Sequence, residues 1–328
     1  MIHMNASILD GSFYFTISLL MLIISFIGYF TYMFTANKLV STASFIIVVA
    51  AFALQTFAFV IRWRYSYQIG IYIPPLIDLY DSLVFFAYVI SFGFILLKLF
   101  YNFNSLGFIM TFISICALSF ATFYPLSTSA IEPYIIPALK SYWLLYHIIS
   151  LFLAYGAFAA AFGIGILFLI KYKQTDKFNK AKNITQSQSS KKINPIKRII
   201  SVIFSPFILL YKQFILLSPS IDILDEAIYK VVVFGFLFLS IGIVIGAAWA
   251  DNAWGGYWSW DPKETWSLIT WITYAVFIHA RLTKDWNEKR MAWIAVIGFI
   301  VVICTYLGVD LLIPGLHSYI APGAAPVL

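Results

Sequence analysis

Apolar runs of roughly twenty residues recur along the whole chain, and no other feature restricts its fold as strongly. Each run is long enough to cross a hydrocarbon core about 30 Å thick as an α-helix. Eight spans are predicted by hydropathy, at about 13–34, 39–60, 76–99, 106–124, 143–170, 228–249, 266–283 and 291–312. The balance of residue types agrees, with 62% hydrophobic and 11% charged, where a water-soluble domain carries about 25% charged residues. The expected fold class is all-α, a polytopic helical membrane protein. The first run, from Phe13, has no basic segment before it and reads as a retained helix.

Lys and Arg set the expected orientation. Of the 21 basic residues, all but Arg62, Arg64, Lys140 and Lys263 fall at Lys38, at Lys98, in 171–230 or between Arg281 and Arg290. The positive-inside rule then puts both termini outside and the long connection inside. That connection begins as a Lys-, Asn-, Gln- and Ser-rich stretch, 171–195, expected to be solvated. It continues as 196–217, which reads as a basic amphipathic segment lying on the inner leaflet. The domain organisation follows: 1–142, an N-terminal four-helix membrane region; 143–170, a fifth span carrying His147; 171–227, the inner-side linker; 228–328, a region holding a tryptophan-rich stretch and the last span. Cys116 and Cys304 lie singly in apolar runs with no C-x-x-C, so the chain is not a dithiol carrier and two packed thiols are expected.

Six of the ten tryptophans lie between Trp249 and Trp271, around the stretch AWGGYWSWDPKETW at 253–266. An aromatic belt is one reading, but belts spread over all helix ends and this cluster sits at one end of two helices. The other reading is a platform for a flat apolar ligand with a polar rim. Trp249, Trp254, Tyr257, Trp258, Trp260 and Trp266 supply area, stacking and N–H donors, and Gly255 and Gly256 let the backbone turn or be approached. Asp261, Pro262 and Glu264 form a helix start, as N-cap, N1 and capping-box partner. Neither carboxylate is assigned as a catalytic acid or base.

Ionisable groups in a membrane segment are costly and usually functional. His147 lies about one turn into the fifth span, and His317 just beyond the last span on the same outer side. Two neutral imidazoles across a flat macrocycle are the axial arrangement of a bis-histidine heme; the alternative for each is an interfacial histidine bonded to a carbonyl. His279 lies thirteen residues past Trp266, about 20 Å deeper. It reads either as the ligand of a second heme, or of the same heme earlier on its path, its mate coming from a partner protein, or as a packed histidine near Arg281.

These residues resemble a known family. GAAWADNAWGGYWSWDPKETWSLITWITYAVFIHAR is similar to the tryptophan-rich signature of the CcsA/ResC cytochrome c synthesis proteins. SYWLLYH at His147, GLHSY at His317 and LYDSL at 79–83 extend the resemblance. It implies a system II heme lyase subunit that acts with a CcsB/ResB-type membrane partner. Such a protein takes heme b from the inner face and holds it outside for thioether attachment to C-x-x-C-H of apocytochrome c. His147 and His317 match the outer ligands, making them iron-binding residues, and His279 matches the membrane ligand. A thioredoxin-like thiol reductant is a further expected partner, and nucleic acid is not. Arg62 and Arg64 are candidate contacts for heme propionates, or a plain interfacial pair. No acid–base or nucleophilic residue is identified; positioning would carry the chemistry. The expected location is a bacterial cytoplasmic membrane, or alternatively a plastid thylakoid membrane, with the active face periplasmic or lumenal. Rival readings are a heme exporter without ligation activity and a structural subunit of a membrane respiratory complex. A solute transporter is also a rival, although no inverted repeat is evident.

Overall fold

The computed structural model describes residues 7–72, 74, 76, 78–124, 131, 139–185, 216–283, 286–313 and 315. These form long helices: α1 Ser12–Thr35, α2 Lys38–Gln68, α3 Leu79–Tyr101, α4 Leu106–Phe123, α5 Tyr142–Thr185, α6 Ile221–Trp254, α7 Pro262–Leu282 and α8 Glu288–Ile303. α8 runs on through a π turn, Cys304–Gly308, into Val309–Leu312.

Local chemistry sets the ends. Ala36 turns the chain in the left-handed region after α1, and the Asn37 side chain then accepts from the Leu39 N–H to start α2. Ser220 and Asn287 cap α6 and α8 in the same way. α6 stops at Gly255, whose φ of 77° is costly for any residue with a Cβ.

Helices α1 to α4 pack as one antiparallel group, and α5 stands beside it against α3 and α4. On its other side α5 packs along α6 and α8, and α7 lies on α6 and α8. The α5–α6 contact is close because α6 presents Gly235, Gly242 and Gly246 to Phe158, Leu151 and His147. A Cβ at any of the three would sit less than 3.0 Å from the α5 side chain. Small residues on one face are the usual means of bringing two membrane helices together.

Among the described residues, seven helices are long and apolar enough to cross a membrane: all but α7. The span expected at 266–283 falls on α7, which does not qualify by composition because it carries Lys263, Glu264, His279 and Arg281. It is still 21 residues long, about 31 Å. It runs the height of the bundle, with Lys263 paired to Asp310 of α8 at one end and Arg281 paired to Asp225 of α6 at the other. Those partners hold in place a helix too polar to be held by hydropathy alone. Cys116 is exposed on α4 and not packed, and Cys304 is half-buried in the π turn. Most of the amphipathic segment expected at 196–217 lies outside the described residues.

A histidine cavity beneath the tryptophan-rich turn

The capping chemistry expected at Asp261 is present in full. Its carboxylate accepts from the Lys263 N–H at 3.0 Å, and Glu264 accepts from the Asp261 N–H at 3.2 Å. Glu264 also accepts from the Ser259 N–H at 2.7 Å and lies within 3.2 Å of its hydroxyl. One buried carboxylate therefore fastens the turn 255–261 to the start of α7. Trp260, next to the cap, adopts φ 60°, a region bulky residues rarely enter and one that stores about 1–3 kcal/mol.

Below this turn lies a cavity of about 70 Å³ lined by His147 of α5, Trp249 and Gly246 of α6, Tyr257 and Trp258 of the turn, and Glu264 of α7. The Nδ1 of His147 is 2.7 Å from the Gly242 carbonyl. A carbonyl only accepts, so Nδ1 carries the proton and the lone pair belongs to Nε2. A ligating histidine is usually oriented in this way. The ring stands nearly parallel to Trp249, at 19° and 6.5 Å between centroids. Trp249 is buried and meets Trp254 edge-on at 4.7 Å. Trp258 meets Trp260 edge-on at 5.8 Å. The Trp258 Nε1 is buried with no hydrogen-bond partner among the described residues, an uncompensated donor of the kind that costs about 1–3 kcal/mol.

The expected site residues fall into groups. His147, Trp249, Tyr257 and Trp258 share the cavity. Trp254, Tyr257 and Trp260 keep exposed faces above it, as do Gly255 and Gly256. Asp261 and Pro262 begin α7, and the Trp266 carbonyl accepts from Thr305 of the π turn at 3.2 Å. Trp271 belongs to the scaffold, its Nε1 donating to Ser240 of α6 at 2.9 Å. His279 lies far from the cavity, on an exposed stripe of α7 with Ile269, Ile272 and Val276. His317 lies outside the described residues; Gly315, two before it in the chain, packs against the Asp261 carboxylate, 2.5 Å from where a Cβ would stand.

The two arginines also part company. Arg64 is exposed, whereas Arg62 is fully buried and pairs with Asp81 of α3 at 2.5 Å. Asp81 stands in the LYDS segment, and its neighbour Ser82 hydrogen-bonds the Tyr306 hydroxyl at 2.8 Å. The Tyr306 carbonyl in turn accepts from Lys263 at 3.3 Å. Lys263, Asp310 and the Gly242/Gly246 contact were not expected as site features. Their signals were an acidic residue inside an apolar run and a Gly-x-x-x-Gly spacing.

Residues 76–317 match the family described as Cytochrome C assembly protein. The chain belongs to that family. It is 37% identical over 290 residues to the cytochrome c biogenesis protein CcsA of Mesostigma viride, covering 87% of this chain and 88% of that protein. To the protein of the same name from Guillardia theta it is 38% identical, over 75% and 76% of the two chains. To that of Prochlorococcus marinus it is 31% identical, over 84% and 83%. Among solved structures, the cytochrome c heme lyase CcmF aligns with a TM-score of 0.59 at 13% identity. That alignment covers 91% of this chain and 46% of the other, and shares the fold. The family match contains the fifth span, the tryptophan-rich turn and every lining residue of the histidine cavity.

Proposed function

We propose that this member of the cytochrome c assembly family receives heme b and holds it at the tryptophan-rich turn, where the C-x-x-C-H segment of apocytochrome c takes it up by thioether bonds. The observation that carries this reading is His147. Its tautomer is set by the Gly242 carbonyl, and it faces the same cavity as Trp249 and Trp258. Ligand pockets usually measure about 300–1,000 Å³; one of about 70 Å³ cannot enclose a macrocycle. Heme is therefore read as lying against the exposed aromatic faces of Trp254, Tyr257 and Trp260. A polar edge then reaches toward the uncompensated Trp258 N–H.

His147 is the first axial ligand in this reading and His317 the second. Support for the second is indirect, from the packing of Gly315 on Asp261. His279, on an exposed face of α7, is read as a ligand completed by a CcsB/ResB-type partner. A thioredoxin-like protein would keep the client thiols reduced, and both termini and the turn face the periplasm or lumen. Arg62 is engaged with Asp81, leaving exposed Arg64 as the readier propionate contact. The residues contribute position and a chosen ligand field; no side chain at the cavity is required as a general acid or base.

The test is to purify the chain with its partner and record oxidised and reduced visible spectra for wild type, His147→Ala, His317→Ala and His279→Ala. Cytochrome c maturation is followed in parallel. Loss or shift of the heme spectrum together with failed maturation is expected. Unchanged heme content in all three variants removes the ligand assignments, and export of free heme without covalent product makes the chain an exporter.

A further inference from the structure

A second hollow, about 210 Å³ and so three times the size of the histidine cavity, opens away from the tryptophan-rich turn. α3 and α6 form its walls and α5 its floor. The floor is low because it is made of Gly156, Ala157 and Ala160. Phe92, Leu96 and Phe100 of α3 and Phe234 of α6 stand along the rim with exposed rings and chains. The lining of α3 extends from Val89 to Tyr101, a distance of about 18 Å at 1.5 Å per residue. Only Tyr101 and Lys230 bring polar side-chain atoms to it, and both lie at one end.

Size decides what fits. A helix about 10 Å across and equally long occupies about 800 Å³, nearly four times the hollow's 210 Å³. A single alkyl chain fits the shape and the lining. Charge decides the rest. The Lys230 ammonium is more than half exposed; it pairs with Glu226 on its own helix, an exposed pair of the kind worth little, and also reaches the Tyr101 hydroxyl of α3. Lys171, bonded to the Ser218 carbonyl, and Arg281, paired to Asp225, stand at the same end of the bundle. We propose that the hollow holds one acyl chain of an anionic membrane phospholipid, with its phosphate at Lys230 and the Tyr101 hydroxyl. The lipid fills a gap between helices that would otherwise lose its packing contacts.

Gly93 provides the test, because a Cβ there meets no atom within 4 Å. A side chain at Gly93 therefore starts in open space, and Gly93→Leu projects one into the hollow. Native mass spectrometry of protein released from an anionic-phospholipid membrane in mild detergent reads the bound lipid directly. The wild type is expected to retain one phospholipid, Gly93→Leu to lose it with an unchanged unfolding midpoint, and Lys230→Gln to lose the preference for anionic head groups. A wild type without retained lipid, or equal retention by Gly93→Leu, overturns the assignment. So does displacement of the lipid when a membrane partner binds, which would make the hollow a seat for that partner. None of these readouts depends on heme, so failure here leaves the proposed function standing.

Discussion

Replacing Gly246 with alanine separates the orientation of His147 from the stability of the bundle. The new methyl would stand less than 3.0 Å from Cε1 and Nδ1 of the imidazole, so the ring must retreat by about 1 Å to reach ordinary contact. The bond from Nδ1 to the Gly242 carbonyl, 2.7 Å now, would open to about 3.7 Å and cease to be one. Overpacking costs about 1–3 kcal/mol and the lost bond about 1. Alanine in place of glycine inside a helix returns about 1 kcal/mol. The net loss of about 1–3 kcal/mol leaves a folded protein. A misplacement of 1 Å costs on the order of 100-fold in a reaction that depends on position. Gly235→Ala is the matched control: on the same α5–α6 contact its methyl meets the Phe158 ring, 2.6 Å away, and neither His147 nor the Gly242 carbonyl. Heme content, the reduced spectrum and cytochrome c maturation are compared for both variants, with unfolding midpoints alongside. Gly246→Ala is expected to lose maturation and shift the spectrum, and Gly235→Ala to keep both. Equal behaviour of the two would refute the argument that a fixed His147 orientation serves the site.

Glu264→Ala should speed hydrogen exchange at the Ser259 and Asp261 amides, which both donate to its carboxylate, and cost about 0.5–2 kcal/mol; unchanged exchange refutes the fastening role. Asp81→Ala should lower stability by about 3–5 kcal/mol by leaving the Arg62 charge buried and uncompensated, and Arg62→Met/Asp81→Leu should recover part of that loss in thermal unfolding. Trp271→Phe should cost about 1 kcal/mol through its bond to Ser240 without changing the heme spectrum. Trp258→Phe should show the reverse, unchanged stability with weakened heme binding, because its N–H has no partner to lose within the described protein. Trp260→Gly should hold or raise the unfolding midpoint by relieving φ 60°, while maturation falls.

Much of the fold is legible along the chain. Helices α1 to α6 and α8 follow runs whose hydropathy is set within some twenty residues, and the start of α7 is written in Asp261, Pro262 and Glu264. The tryptophans were less legible. Composition marks them as one cluster, yet Trp249 is buried beside His147, Trp258 lines the cavity, Trp260 is exposed and Trp271 braces α7 on α6. Indole chemistry is the same at each position; only the neighbours differ.

Read by itself, the sequence determined a helical membrane protein, its helix starts and its family, because hydropathy, capping and motif spacing are local properties. Tertiary structure decided which polar groups satisfy one another. Arg62 met Asp81, Lys263 met Asp310, and His147 met the Gly242 carbonyl across ninety-five positions. A charge in an apolar medium needs a partner, but the partner is whichever group the helix packing delivers, and small residues such as Gly242 and Gly246 set that packing.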